Sequence, residues 1–301
     1  MTTLSDLINE TRTFLYSNQQ PYSNKLGVAI TDPNATNFTL SYDLGAIAQR
    51  GAIVAIDLEH IRIWETSGTR VTLCDRGVDG STPATHTNGA FVEAMPKFSP
   101  YMIQRAINED LDDLASPSAG LFAIKDLELT YNAAVSGYDM TGVTPDNVLA
   151  IQEIRYKIPG PTMHLPAIRS FEVARSVPTT DYPSGMALLL NESAHPGLPM
   201  HVRYRSRFSH LVNLTDDLQT VAGLPAAANG LPALGAACSL MAGREVKRNF
   251  TEATTDPLQL ELVTGGQVLN SYKGLLLLRQ ERIMRVASGL LKQWGYPLRV
   301  L

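Results

Sequence analysis

Few side chains in this 301-residue sequence have the type and spacing to do chemistry. His195 and His201 come nearest to a metal-ligand pair, because they flank Pro196-Gly197-Leu198-Pro199 and can meet across a turn. No third ligand stands nearby, so two loop or strand-edge histidines is the better reading. Asp112 and Asp113 offer a pair of carboxylates, but adjacent positions on a helix do not face each other and cannot flank one bond. The two cysteines, Cys74 and Cys238, can build neither a disulfide framework nor a closed zinc site; buried, inert thiols are expected. Phosphate-cradling loops, dinucleotide fingerprints, nucleophile elbows, H-E-x-x-H helices and acidic calcium loops are all absent. Local patterns therefore assign no catalytic residue, cofactor or metal, and only residues distant in sequence could converge on a reaction.

The elements that would have to position such residues alternate in texture. Residues 3–16 read as an amphipathic helix with Leu4, Leu7, Ile8 and Leu15 near one face, capped by Thr3 with Asp6. From about Lys25 to Lys97 come short β runs: Phe38 to Tyr42, Ala52 to Asp57, Ile61 to Trp64 and Arg70 to Cys74. Ser99-Pro100 is a strong helix start, followed by the stripe Ile103, Ile107, Leu111 and Leu114. Glu109, Asp110, Asp112 and Asp113 make the opposite side acidic. Residues 120–208 return to β, with Met200, Val202, Tyr204 and Phe208 alternating against His201, Arg203, Arg205 and Arg207. Thr215-Asp216-Asp217 predicts a short helix closed by Gly223, and longer helices begin at Leu231 and Asn270.

Composition bounds the function. With 44% hydrophobic and 18% charged residues, disorder and fibrous repeats are excluded. A net charge of -4 argues against a surface devoted to nucleic acid, though not against a local basic strip. No signal peptide is expected from Met1-Thr2-Thr3-Leu4, and Leu275–Leu278 is too short an apolar run for a membrane span. Six Asn-x-Ser/Thr sequons carry little weight without a secretory route. The expectation is a protein made in a reducing cytoplasm, with no membrane partner.

The most distinctive stretch runs from Arg76 through Gly77, Gly80, Ser81, His86 and Gly89 to Val92. Its glycines permit positive φ, so a tight loop can follow the strand ending at Cys74. The plainest reading is a loop held together by a partly buried His86. The pattern also resembles one recurring in neck, tail and baseplate proteins of tailed bacteriophages, where it belongs to a small structural β-module. Gly223-Leu-Pro225, Leu231 to Ala237 and Gly243-Arg244-Glu245 are similar to helical segments of phage head–tail connector (adaptor) proteins. Together these resemblances imply an α+β fold: a helical connector-like core, an N-terminal small β-module and an inserted antiparallel β-sandwich. The implied boundaries are a helix at 1–20, the β-module at 21–98, a core helix at 99–118, the sandwich at 119–208 and a helical core and tail at 209–301. A sandwich of that size is a departure from small adaptors.

What the resemblance implies is a virion protein, assembled in the host cytoplasm, that joins portal to tail around the DNA channel. Its expected partners are copies of itself in a closed ring of roughly twelve or six, the portal protein, and stopper or tail proteins. Lys273, Arg279, Arg282, Arg285, Lys292 and Arg299 face only Glu281 in the last stretch, a surplus of five that could order subunits against an acidic helix. Glu109, Asp112, Asp113, Arg279, Arg282 and Arg285 are accordingly the expected subunit-interface residues. The apolar tail Tyr296, Pro297, Leu298, Arg299, Val300 and Leu301 is the expected portal-docking segment, since such proteins commonly use an extended C-terminus. Arg203, Arg205 and Arg207, with Arg155 and Lys157 nearby, are the residues that could touch packaged double-stranded DNA, but no aromatics interleave on that side. The alternative is a tail- or collar-associated protein whose 119–208 sandwich binds a host glycan or receptor. An enzyme ranks third, to be revived by a convergent Asp/Glu/His pocket.

Overall fold

A computed structural model describes residues 1–16, 23–43, 50–135, 137–156, 166–191, 197–252, 267–295 and 299–300, with backbone alone at 243–252, 267–271 and 299–300. The described chain is mixed α+β, with four helices and several antiparallel sheets. It clusters into two units. The first gathers Met1–Asp110, Leu211–Leu218 and Gly230–Arg279; the second gathers Leu111–His210, Gln219–Asn229 and Gln280–Leu301.

The first unit opens with α1 (Leu4–Leu15), whose capping box is complete: Thr3 Oγ1 accepts the Asp6 amide and the Asp6 carboxylate accepts the Thr3 amide. Leu4, Leu7 and Ile8 are buried as the spacing predicts. They pack toward α3 (Leu231–Glu252), whose run of alanines lets the helices approach closely.

Six strands follow: β1 (Ser23–Lys25), β2 (Phe38–Thr39), β3 (Ile53–Ile56), β4 (Glu59–Ser67), β5 (Arg70–Asp75) and β6 (Phe91–Ala94). Their order in the sheet is β1-β6-β3-β4-β5-β2, and every pairing is antiparallel. Just beyond the two outer strands, a Leu26–Leu40 bridge and the bonds from Gly27 N to Thr39 O and Ser41 N to Lys25 O join one end of the sheet to the other. The sheet therefore curls back on itself around Leu26, Val54, Ile56, Ile61, Ile63, Val71 and Val92. Curling removes the open edges that a flat sheet would expose.

Ser99 caps α2 (Pro100–Leu114), its Oγ accepting the Met102 amide at 3.1 Å. Ile103 and Ile107 on this helix are fully buried. The short helix expected at 215–222 does not form. Asp216 turns its carboxylate to the amides of Val212 and Asn213, and Asp217 accepts the Thr2 amide, so side chains that could cap a helix close turns instead.

In the second unit, β7 (Ala123–Thr130), β9 (Val148–Tyr156), β10 (Ala167–Ile168) and β13 (Pro199–Ser206) form a sheet of order β10-β9-β13-β7. A second sheet holds β8 (Gly137–Asp139), β11 (Phe171–Arg175) and β12 (Met186–Leu190), in the order β11-β12-β8. One apolar core draws on both sheets, including Ile151, Ile154, Met186, Leu188, Met200 and Val202. The helix α4 (Gln267–Trp294) buries Ile283, Val286 and Leu290. No described helix is long and apolar enough to cross a membrane.

Candidate functional site

The distinctive loop after β5 is held by a charge cluster whose hub the sequence did not reveal. Glu59, at the head of β4, is 1% exposed. Its carboxylate accepts Arg76 Nε and Nη2 at 2.6 Å each, His86 Nε2 at 2.8 Å, and the amides of Ala84 at 3.0 Å and Gly77 at 3.1 Å. Arg76 also donates to the Ala84 carbonyl at 2.6 Å. His86 Nδ1 lies 2.8 Å from Asp57 Oδ2, so both ring nitrogens face carboxylates. Gly77 is required here: its φ is 63° and a Cβ would strike the Pro83 ring.

The electrostatics follow from these contacts. Burial by itself would raise the Glu59 pKa, but the bonds from Arg76 and His86 outweigh it and hold the carboxyl at about 2. Burial likewise works against protonation of His86, and the bonds to Asp57 and Glu59 overcome that, leaving the pKa above its ordinary value. The loop is thus fastened by a buried ion cluster, as the plainest reading of His86 anticipated.

The next residue, His60, belongs to a separate site, since neighbouring residues on a strand point to opposite faces. His60 is buried, with Nε2 2.6 Å from Ser99 Oγ and Nδ1 3.5 Å from Asp79 Oδ2. Its amide donates to Ser81 Oγ at 2.9 Å. The Tyr101 ring meets the imidazole edge-on at 5.3 Å between centroids, and its hydroxyl is anchored on the Gly80 carbonyl. His60, Asp79 and Ser99 line a cavity of about 340 Å³ with Gly51, Ala52, Ile53, Met95, Pro96 and Met102. That volume is at the lower end of the range for small-molecule pockets. Ser99 entered the sequence reading only as a helix cap, and Glu59, His60 and Asp79 did not enter it. The available signal was a Glu-His pair directly before the alternating Ile61-Arg62-Ile63 run of the strand.

The residues expected at a subunit interface divide into two groups. Glu109 is exposed, 3.8 Å from Arg105; Asp112 is half-exposed on His210 at 3.0 Å; Asp113 is exposed. Arg282 is exposed, and Arg285 pairs along its own helix with Glu281 at 2.8 Å. Arg279 differs: its side chain is 14% exposed and its Nη2 is bonded to Asp110, itself 5% exposed. Asp110 was expected on the acidic face, yet it stands seven residues after Ile103 and four before Leu114, which places it on the buried side. Gly235 makes room for it, since a Cβ there would overlap the Asp110 carboxylate. Arg279 therefore serves the interior of the first unit.

Of the tail, Tyr296, Pro297, Leu298 and Leu301 lie outside the described residues. Arg299 and Val300 form β14 (Arg299–Val300), paired with Ile151 and Ala150 of β9. The arginine row on β13 is largely engaged. Arg203 bonds Asp126 at 2.8 Å and Glu153 at 2.9 Å, and Arg205 lies 4.0 Å from the centre of the Phe122 ring and bonds Gln152. Arg155 is paired with Glu153, and Lys157 lies outside the described residues. His201 sits 3.8 Å from Glu128, His195 lies outside the described residues, and no metal-holding cluster of His, Cys, Asp and Glu occurs among the described residues. In the described part of 119–208 the exposed large hydrophobic residue is Val135, not an aromatic.

No protein-family profile matches the chain, and no curated protein matches it.

Proposed function

We propose that this chain is a structural protein of a tailed-phage virion, a head–tail connector or neck component. It closes into a ring with copies of itself and joins portal to stopper or tail around the DNA channel. The observation that carries this reading is the outer face of α4 in the second unit. Met284 and Leu291, 66% and 39% exposed, stand seven residues apart and so share a helix face. Arg285 and Lys292 are exposed along one side of them, Arg285 being paired with Glu281 at 2.8 Å, and exposed Asp112 and Asp113 on α2 supply the opposite charge. An apolar strip with a net basic border, and acidic residues elsewhere on the same chain, suits a head-to-tail contact, and such contacts make rings where the rotation between neighbours closes.

The loop from Arg76 to Val92 supports the same reading, because its ionic fastening is architectural. Native mass spectrometry and particle imaging of the full chain test the proposal. Rings of many copies are expected, loosened in 1 M salt and dispersed by Met284→Asp with Leu291→Asp. A monomer at every concentration, or rings indifferent to both changes, overturns it.

A further inference from the structure

Asp79, His60 and Ser99 reach one cavity of the first unit from three separate stretches of chain. Their contacts run in one direction. Ser99 Oγ accepts the Met102 amide and keeps its hydroxyl proton, which it donates to His60 Nε2, 2.6 Å away, in the tautomer that carries the ring proton on Nδ1. In that tautomer the Nδ1 proton faces Asp79 Oδ2 at 3.5 Å, a charge contact without a hydrogen bond. This proton assignment is drawn from the bonding pattern. Arg62, 3.8 Å from Asp79 Oδ1, is the other group on that carboxylate.

The surroundings suit a reacting hydroxyl. Burial lowers the His60 pKa against the opposing pull of Asp79, so the ring is neutral at pH 7 and able to accept a proton. Ser99, itself 1% exposed, stands at the N-terminus of α2, whose partial positive charge favours a developing oxyanion. Pro100 has no N–H and the Met102 amide is held by Ser99 Oγ, so the charge of the helix end and not a pair of amides is what the helix supplies. Ile53, Met95, Pro96 and Met102 make the remaining wall apolar. Backbone strain also collects here. Asp57, Asp79 and Met95 are three of the four non-glycine residues with positive φ among the described residues, and Asp79 and Met95 line this cavity. Strain of this kind concentrates at functional sites because packing must hold it in place.

We infer that Ser99 is a nucleophile for acyl transfer, with His60 as its general base and Asp79 orienting the imidazole, acting on carboxylic esters with a short apolar acyl group. Ser99 Oγ bonds to the acyl carbon as its proton passes to His60 Nε2. The ester C–O bond then breaks, and the alcohol leaves with that proton. Water adds to the acyl-serine through the same base, and the carboxylic acid departs as Ser99 regains its hydrogen. This inference is independent of ring formation, since the cavity belongs to one unit of one chain.

The test treats the full chain with an alkyl fluorophosphonate, in which Ser99 Oγ displaces fluoride from phosphorus. One adduct per chain is expected, mapped to the peptide containing Ser99, with a rate that rises with pH through a titration below 6.5. Asp79→Asn keeps the cap and suits a positive φ. It is expected to slow labelling by at least about tenfold without moving the unfolding midpoint. Hydrolysis of 4-nitrophenyl butyrate should fall in parallel. No adduct, an adduct only at another residue, or an Asp79→Asn rate equal to the parent's overturns the assignment.

Discussion

Replacing Glu59 with Gln removes one charge from the cluster beneath the loop and leaves its shape nearly unchanged. The wild-type carboxyl sits at about 2 against an ordinary 4.5. That difference corresponds to about 3 kcal/mol favouring the ionised form in the folded chain. The variant also leaves the Arg76 guanidinium, whose side chain is 5% exposed, with backbone carbonyls but no carboxylate to neutralise it, and turns an amide NH2 toward donors. Breaking a buried pair from one side costs roughly 3–5 kcal/mol. Because the chain has two units, the measurement needs a local probe. Trp64 lies on β4 and bonds Asp75, whereas the only other tryptophan, Trp294, is in the second unit. In a Trp294→Phe background, urea unfolding followed by Trp64 fluorescence reports the first unit alone. At a typical slope of about 2 kcal/mol per molar urea, the midpoint should fall by about 2 M. A fall of less than about 0.5 M refutes the claim that Glu59 is the hub. Glu59→Leu combined with Arg76→Met and His86→Leu should recover much of the loss, because an apolar replacement strands no charge.

The same cluster sets a pH window. Glu59 stabilises fully above 4.5 and loses its contribution as pH falls toward about 2, whereas His86 stabilises fully below 6.5 and loses its contribution as pH rises through its raised folded value. The Trp64 midpoint should therefore peak between those limits, and Glu59→Gln should flatten the acid side. Gly235→Ala should destabilise the first unit by about 3 kcal/mol, because the new methyl displaces Asp110 from Arg279; an unchanged urea midpoint removes that pair from the account. Burial raises the Cys74 thiol to about 11, and burial also raises Cys238, so neither should react with a disulfide reagent at pH 7 until urea unfolds the chain. Thr3→Ala should cost about 1 kcal/mol by opening the capping box of α1, read by amide exchange along that helix.

Elements with a strong period were legible from sequence. Leu4, Leu7 and Ile8, the stripe on α2, and the alternation of Met200, Val202 and Tyr204 all bury the side that their spacing predicts. The misplaced features share a physical cause, which is that a polar side chain's partner is set by tertiary contact. Asp216 and Asp217 look like a helix cap until their carboxylates meet turn and N-terminal amides. Asp110 looks like part of a solvated acidic face until Gly235 and Arg279 close over it. The candidate site was the least legible, because Asp79, His60 and Ser99 have no fixed spacing that local chemistry demands. Only the curl of the sheet and the start of α2 bring them together.

Glu59 and His60 explain why the loop can be architectural while its neighbourhood is chemical. Arg76 and His86, the residues that make the loop distinctive, are both spent on Glu59, so neither is available to a ligand. Their work is to hold Gly77 to Gly80 in a turn that no ordinary residue sequence would keep, with φ of 63° at Gly77 and 57° at Asp79. That turn is what carries the Asp79 carboxylate to within 3.5 Å of the imidazole. Stability on one face of β4 thereby supplies orientation on the other, and neither requires a change in the fold. A chain selected to keep the loop rigid in a larger assembly would keep Asp79 beside His60 as a consequence. The structural role and the reactive serine are then compatible readings of one dipeptide, and they separate under Asp79→Asn, which disturbs the imidazole and leaves every bond to Glu59 intact.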